Sequence, residues 1–135
     1  MKAIADAGFL VAAWNRRDAH HTWAAGIAKS VDEPLITCEP VLAEVAFHLH
    51  DVRVMLGFVH DGLVRLAFQA AEHLDQLSEL AERYADQSPD FADLCLIRMS
   101  ELYPDFPVIT TDVTDFRVYR RFRRERIPLL HPPGL

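Results

Sequence analysis

Cysteine and glycine are scarce in this chain: its 135 residues hold two of the first and five of the second. Cys38 and Cys95 stand far apart in apolar surroundings with no C-x-x-C spacing, which excludes zinc-knuckle and dithiol redox chemistry and leaves two buried free thiols as the expectation. The glycines compose neither G-x-G-x-x-G nor a P-loop, and no serine sits in G-x-S-x-G, so nucleotide-cofactor and triad-hydrolase classes lack a basis. Long apolar runs are missing too. Lys2 and the stretch "AGFLVAAW" have the outline of a secretion signal, but Asp6 interrupts it, and the run is far short of the ~20 residues that cross a bilayer. A cytoplasmic protein with no membrane contact is expected. Histidine is plentiful at seven, yet His20 and His21 are adjacent and His48 and His50 two apart, so neither pair shares a helix face and zinc is set aside.

Half of the residues are hydrophobic, enough for a proper core at this length, and no linker, repeat or low-complexity tract divides the chain. Residues 1–135 are therefore read as one domain. Trp14 and Trp23 read as core or interface aromatics. The net charge of −6 is unevenly spread, since Arg117 to Arg126 carries six arginines against one glutamate. Such a chain can meet a polyanion at a basic edge and keep an acidic site elsewhere.

Apolar patterning alternates between short β-type runs and helical periods. "KAIAD" predicts a strand that hands over at Asp6 to a helix in "AGFLVAAWNRR". A second helix follows over His20 to Lys29. Leu35 to Thr37 is a strand, followed by a helix in "EPVLAEVAFHLHD" with Pro40 in its first turn, where proline is tolerated. Val52 to His60 and Ala70 to Ala85 are helical, with "LVRLAF" a strand between them. Pro89 separates the second of these from "SPDFADLCLIRMSEL", whose apolar residues cover most of a helix circumference. "FPVITTD" and "IPLL" are the last strands. This alternation predicts an α/β fold with a mostly parallel sheet and helices on both faces.

In such sheets the functional crevice lies beyond the carboxyl ends of the strands. Asp6 ends the first strand and Asp112 ends "VITTD". Asp93 lies one turn into the apolar helix that Asp90 opens, and Glu44 lies about 120° from the centre of the stripe of Val41, Leu42, Val45 and Leu49, at 100° per residue. Singly, each has a bland role: Asp90 and Asp93 as a helix cap and first-turn acid, Asp6 and Asp112 as turn residues, Glu44 as a solvated side chain. Together they converge where four carboxylates would repel one another unless a cation lay among them. Oxygen-only donors favour Mg²⁺ or Mn²⁺, ions that hold phosphate oxygens and lower the pKa of an attacking water, which points to a nuclease.

"IADAGFLVAAWNRRDAHHTWA", "TCEPVLAEVAFHL", "SPDFADLCLIRMSEL" and "VITTDVTDFRVYRRF" resemble, in order and spacing, the successive motifs of the PIN-domain family, especially VapC-type toxins of prokaryotic toxin–antitoxin pairs. The resemblance covers nearly the whole chain and is weakest from Leu49 to Leu80. It implies a PIN-like α/β/α sandwich, Mg²⁺ or Mn²⁺ dependence, endoribonuclease activity and an antitoxin partner, with a homodimer or toxin–antitoxin heteromer as the assembly. By position, the family's acidic quartet falls on Asp6, Glu44, Asp93 and Asp112, with Asp90 and Asp115 as accessory acids and Thr110 as the hydroxyl residue before the last acid. Asp6, Asp93 and Asp112 would hold the metal, and Glu44 would join them or act as general base. One departure stands out: Ala7 follows the first aspartate where many relatives carry threonine or serine. Arg117, Arg120, Arg121, Arg123 and Arg124 are read as contacts to RNA phosphates or to an acidic antitoxin segment. Two alternatives remain open: a catalytically silent PIN module that binds RNA or a protein partner, and a nuclease for flapped or single-stranded DNA.

Overall fold

A five-stranded sheet with every neighbouring pair parallel forms the centre of the protein, described for all 135 residues by a computed structural model. Its spatial order is β3 (Val64–Leu66), β2 (Leu35–Thr37), β1 (Ile4–Ala5), β4 (Val108–Ile109) and β7 (Leu129–Leu130). Register is set by Ile4 opposite both Ile36 and Val108, and by Ala5 opposite Ile109. Residues 3–5, 35–38 and 108–110 are all buried, so these strands read as continuous apolar runs covered on both faces, as parallel strands must be.

From β1 the chain passes through α1 (Ala7–Trp14) and α2 (His21–Ser30) to β2, and through α3 (Glu39–Leu49) and α4 (Val52–His60) to β3. It then returns through α5 (Leu74–Arg83) and α6 (Phe91–Leu102) to the opposite side of β1, where β4 pairs. The reversal puts the topological switch point between β1 and β4, the usual place for a binding crevice. Right-handed crossovers assign the helices before β3 to one face and those after it to the other.

Several elements differ from expectation. The predicted helix over Ala70 to Ala85 is broken: Ala70–Glu72 is a 3-10 turn, His73 leaves the helical region, and α5 begins at Leu74. His73 stacks on Phe68 with ring centroids 4.8 Å apart and accepts Arg98 Nε at 3.2 Å, side-chain contacts that outweigh helix continuity. The "FPVITTD" strand shrinks to Val108–Ile109: Thr110 N still donates to Leu130 O at 3.0 Å, but beyond it the Asp112 amide turns to the Thr110 hydroxyl. Phe91 is exposed, although the rest of α6 is largely buried. Cys38 and Cys95 are fully buried free thiols, as expected.

The arginine-rich segment is not one basic strip. It folds into α7 (Val113–Val118) and a hairpin of β5 (Arg120–Arg121) with β6 (Glu125–Arg126), neither of which periodicity predicts in so short a stretch. Arg121 points inward: its guanidinium donates to Ser100 O at 3.0 Å and Pro104 O at 2.7 Å, and pairs with Glu125 at 2.7 Å. Arg120 donates to the carbonyls of Arg117, Val118 and Tyr119 at the end of α7, Arg117 donates to Leu135 O, and Arg123 pairs with Glu79. Arg121 thereby anchors the hairpin to the end of α6, and the Arg120 donors named here face backbone.

Arg121→Met is expected to cost about 2–4 kcal/mol in urea unfolding, because it strands two buried carbonyls and the charge-assisted bonds are the strong ones. Arg124→Ala, at an exposed position, should stay within about 0.5 kcal/mol of the parent.

Candidate active site

A cavity of about 460 Å³ opens at the switch point, and the carboxyl-bearing residues Asp6, Asp18, Glu44, Asp90, Asp93, Asp112 and Asp115 line it together with Gly8, His48 and Thr111. The expected quartet of Asp6, Glu44, Asp93 and Asp112 and the accessory pair Asp90 and Asp115 thus face one space. Thr110 stands just behind them.

Each side chain is positioned by its element. Asp6 leaves β1 and caps α1: Oδ1 accepts from Ala7 N at 2.7 Å, while Oδ2 accepts from Thr110 Oγ1 at 2.6 Å. The same Thr110 oxygen accepts from Asp112 N at 2.9 Å, so one hydroxyl ties the end of β1 to the loop after β4. The hydroxyl missing at Ala7 is therefore supplied to Asp6 from the neighbouring strand. Gly8 lets Thr111 approach: a Cβ there would lie 2.4 Å from Thr111 Oγ1. Asp112 caps α7, accepting from Asp115 N at 3.5 Å. Asp90 caps α6 by accepting from Asp93 N at 2.8 Å, which leaves the Asp93 carboxylate free to accept from Tyr119 Oη at 3.1 Å. Asp90 and Asp93 both line the cavity, but Asp90 also holds the helix start whereas the Asp93 carboxylate is oriented by Tyr119. Glu44 sits at the margin of the buried face of α3, partly exposed beside buried Val45.

Burial dominates the electrostatics. It raises Asp6 to about 6, against the hydrogen bonds from Thr110 and Ala7 that favour its charged form. It raises Glu44 to about 8 and Asp93 to about 7, with Asp90 adding to both. Asp112 is also raised, by burial and then by the charge of Asp115. Such carboxylates strain against full ionisation near neutrality, the state a cation relieves. All the donors are oxygens, which fits a hard divalent ion that keeps several waters and needs no closed protein cage. No three His, Cys, Asp or Glu side chains are drawn together tightly enough to form such a cage.

Asp18, Thr111 and Tyr119 were not anticipated. Asp18 follows "WNRR" as one more turn residue, and its Oδ1 accepts from His20 N at 2.8 Å. Tyr119 reaches Asp93 only because α7 folds back, and no local pattern in the sequence marks that contact. Two further hollows adjoin the cavity. One shares Glu44 and Asp90 with it and is walled by Phe68 and Phe91; the other shares His48 and is lined by Arg16, Arg17 and Lys29.

The architecture is a PIN-like α/β fold with an acidic crevice at its switch point. It is similar to the crystal structure of Mycobacterium tuberculosis VapC20, a sarcin-ricin loop cleaving toxin, with a TM-score of 0.66 and 20% sequence identity, over 78% of this chain and 86% of that one. No protein-family model matches the sequence, and no curated protein does.

The raised carboxylates make stability depend on pH in chelator. Unfolded acids ionise near pH 4 whereas the folded ones hold their protons longer, so stability should fall as pH rises from about 4 through 6, 7 and 8, the folded values of Asp6, Asp93 and Glu44. Asp6 alone accounts for about 3 kcal/mol of that loss. Asp93→Asn should accordingly raise Tm at pH 8 in chelator, by about 3–5 °C for each kcal/mol of strain removed. Melting curves across this range check both, and a Tm that climbs between pH 5 and pH 8 contradicts the picture.

Proposed function

We propose that the protein is a metal-dependent endoribonuclease that hydrolyses RNA phosphodiester bonds, acting as the toxin of a toxin–antitoxin pair. The observation that carries this reading is the convergence of Asp6, Glu44, Asp93 and Asp112 on one cavity at the switch point, their carboxyl groups held above ordinary values. Seven acidic side chains would repel a phosphodiester, and a divalent cation is what makes the same cavity attract one. Asp6, Asp93 and Asp112 would hold Mg²⁺ or Mn²⁺, which when bound supplies charge neutralisation, a grip on phosphate oxygen and acidification of water.

The chain's own groups do the rest. Thr110 and Ala7 N fix both oxygens of Asp6, and Tyr119 orients Asp93, so these carboxylates keep their direction when charge in the cavity changes. Glu44 keeps part of its surface in solvent, its carboxyl raised to about 8 by burial and by Asp90 while no cation is bound, and in its ionised form it would take the proton of the attacking water. Asp90 and Asp115 add negative charge at the rim. An antitoxin and a second copy of the chain belong to the same reading, and the exposed Phe47, Val52 and Leu56 of α3 and α4 offer apolar surface that a partner would cover.

Asp6→Asn and Asp93→Asn should each abolish Mn²⁺-dependent cleavage of RNA while the far-ultraviolet circular dichroism of the fold persists. Undiminished cleavage in both variants eliminates the mechanism. Mn²⁺ should also raise Tm of the parent, by the equivalent of about 2.7 kcal/mol at a hundredfold excess over its dissociation constant. Matched RNA and DNA oligonucleotides decide the substrate, since only RNA offers the 2′-hydroxyl.

A further inference from the structure

A basic hollow of about 760 Å³ lies beside the acidic cavity, in the turn between α1 and α2 and against the end of α3. Trp14, Arg16, Arg17, His21 and Lys29 line it, and His48 lines both spaces, so the two adjoin at that side chain. Arg16, Arg17 and Lys29 are exposed and enter none of the chain's ion pairs, although seven carboxyl-bearing residues line the adjoining cavity. Of the C-terminal arginines, Arg117, Arg120 and Arg121 donate to backbone carbonyls and Arg123 is paired with Glu79; Arg124 and Arg126 are exposed and unpaired, but none of the six lines the acidic cavity or the basic hollow. The hairpin's Arg123 borders a different hollow, with Glu79 and Glu101.

The basic hollow also carries an aromatic face. Trp14 is 56% exposed, held on edge against Phe58 with centroids 6.4 Å apart, so its position is fixed while a face remains open. His21 is anchored through Nδ1 to Ala12 O at 2.7 Å. Unpaired cations beside an open indole match a single-stranded nucleic acid, whose phosphates need point charges and whose bases need a stacking plane. An acidic polypeptide would use the charges and leave the indole idle.

We infer that this hollow is the subsite for the RNA strand flanking the scissile phosphate, with Arg16, Arg17 and Lys29 on neighbouring phosphates and Trp14 under a base, an inference that rests on the ribonuclease reading of the acidic cavity. It moves the strand's path from the C-terminal hairpin to the α1–α2 turn. His48, at the junction, marks where the strand passes from one space to the other.

The test is binding of a short single-stranded RNA oligonucleotide in chelator, where cleavage is silent, by fluorescence anisotropy over a range of salt. Arg16→Ala/Arg17→Ala should weaken binding about tenfold and flatten the slope of log affinity on log salt by about 1.4, at roughly 0.7 for each lost phosphate contact. Arg123→Ala/Arg124→Ala should cost less on both measures. Quenching of indole emission on binding should vanish in Trp14→Phe, which retains Trp23. All these positions are exposed, Arg16 and Arg17 have no side-chain partner and Arg123 gives up only its surface pair with Glu79, and an unaltered melting curve verifies folding. If the parent binds the RNA but Arg16→Ala/Arg17→Ala matches it in affinity and slope, the subsite is overturned while the ribonuclease reading stands. A parent that neither binds nor cleaves RNA overturns both. Polyglutamate whose binding depends on Arg16 and Arg17 when RNA binding does not would assign the hollow to an acidic polypeptide and likewise overturn the proposal.

Discussion

One hydrogen bond joins the two ends of the chain's architecture: Thr110 Oγ1 to Asp6 Oδ2, across 104 residues of sequence. It extends the pairing of β1 with β4 by one step past the last ladder bond, and the same oxygen then receives Asp112 N. Without that pairing the carboxylates of Asp6 and Asp112 would have no common space, because their nearest covalent path runs through nearly the whole protein. The bond lies in a buried layer where an unmatched carboxylate or amide would cost more than the bond itself contributes. Once β1 and β4 are adjacent, α6 brings Asp93 and α3 brings Glu44, two helices whose buried faces share one core.

The cavity is an uphill arrangement sustained by an apolar body. Ala92, Leu94, Cys95, Leu96, Ile97 and Met99 of α6 are buried around the segment that holds Asp93 forward, so the helix cannot rotate its carboxylate away without exposing them. Side-chain hydrogen bonds oppose the strain at Asp6 and Asp93, whereas Glu44 has none from the rest of the protein that lowers it. This is the ordinary relation between a site and its scaffold: groups arranged for chemistry sit where stability alone would not put them.

Much of this was legible in the sequence because its signals are local. Asp6 follows a buried β run and precedes a helical one, Pro40 fits a first helical turn, and the Asp90/Asp93 pair opens a helix whose apolar residues are unmistakable. The parallel order followed from alternation, and the meeting of the acids followed from the rule that crevices lie at strand ends. Other features escaped for identifiable reasons. The break at His73 depends on stacking against Phe68 and on Arg98, contacts between segments that no helical period records. The arginine run was read by charge alone, yet Arg121 faces the carbonyls of Ser100 and Pro104, and composition does not say which way a side chain turns. Arg16 and Arg17, only two residues, stand out less by charge than the six, although they are unpaired and lie beside the acidic cavity.

The central sheet is built from strands of two or three residues, its margins Val64–Leu66 and Leu129–Leu130 included. An outer strand that short offers a stray chain too few free amides and carbonyls to template a ladder. Brevity at the borders therefore guards against sheet-to-sheet aggregation, a protection that does not rely on charge and so persists when the acidic crevice is neutralised.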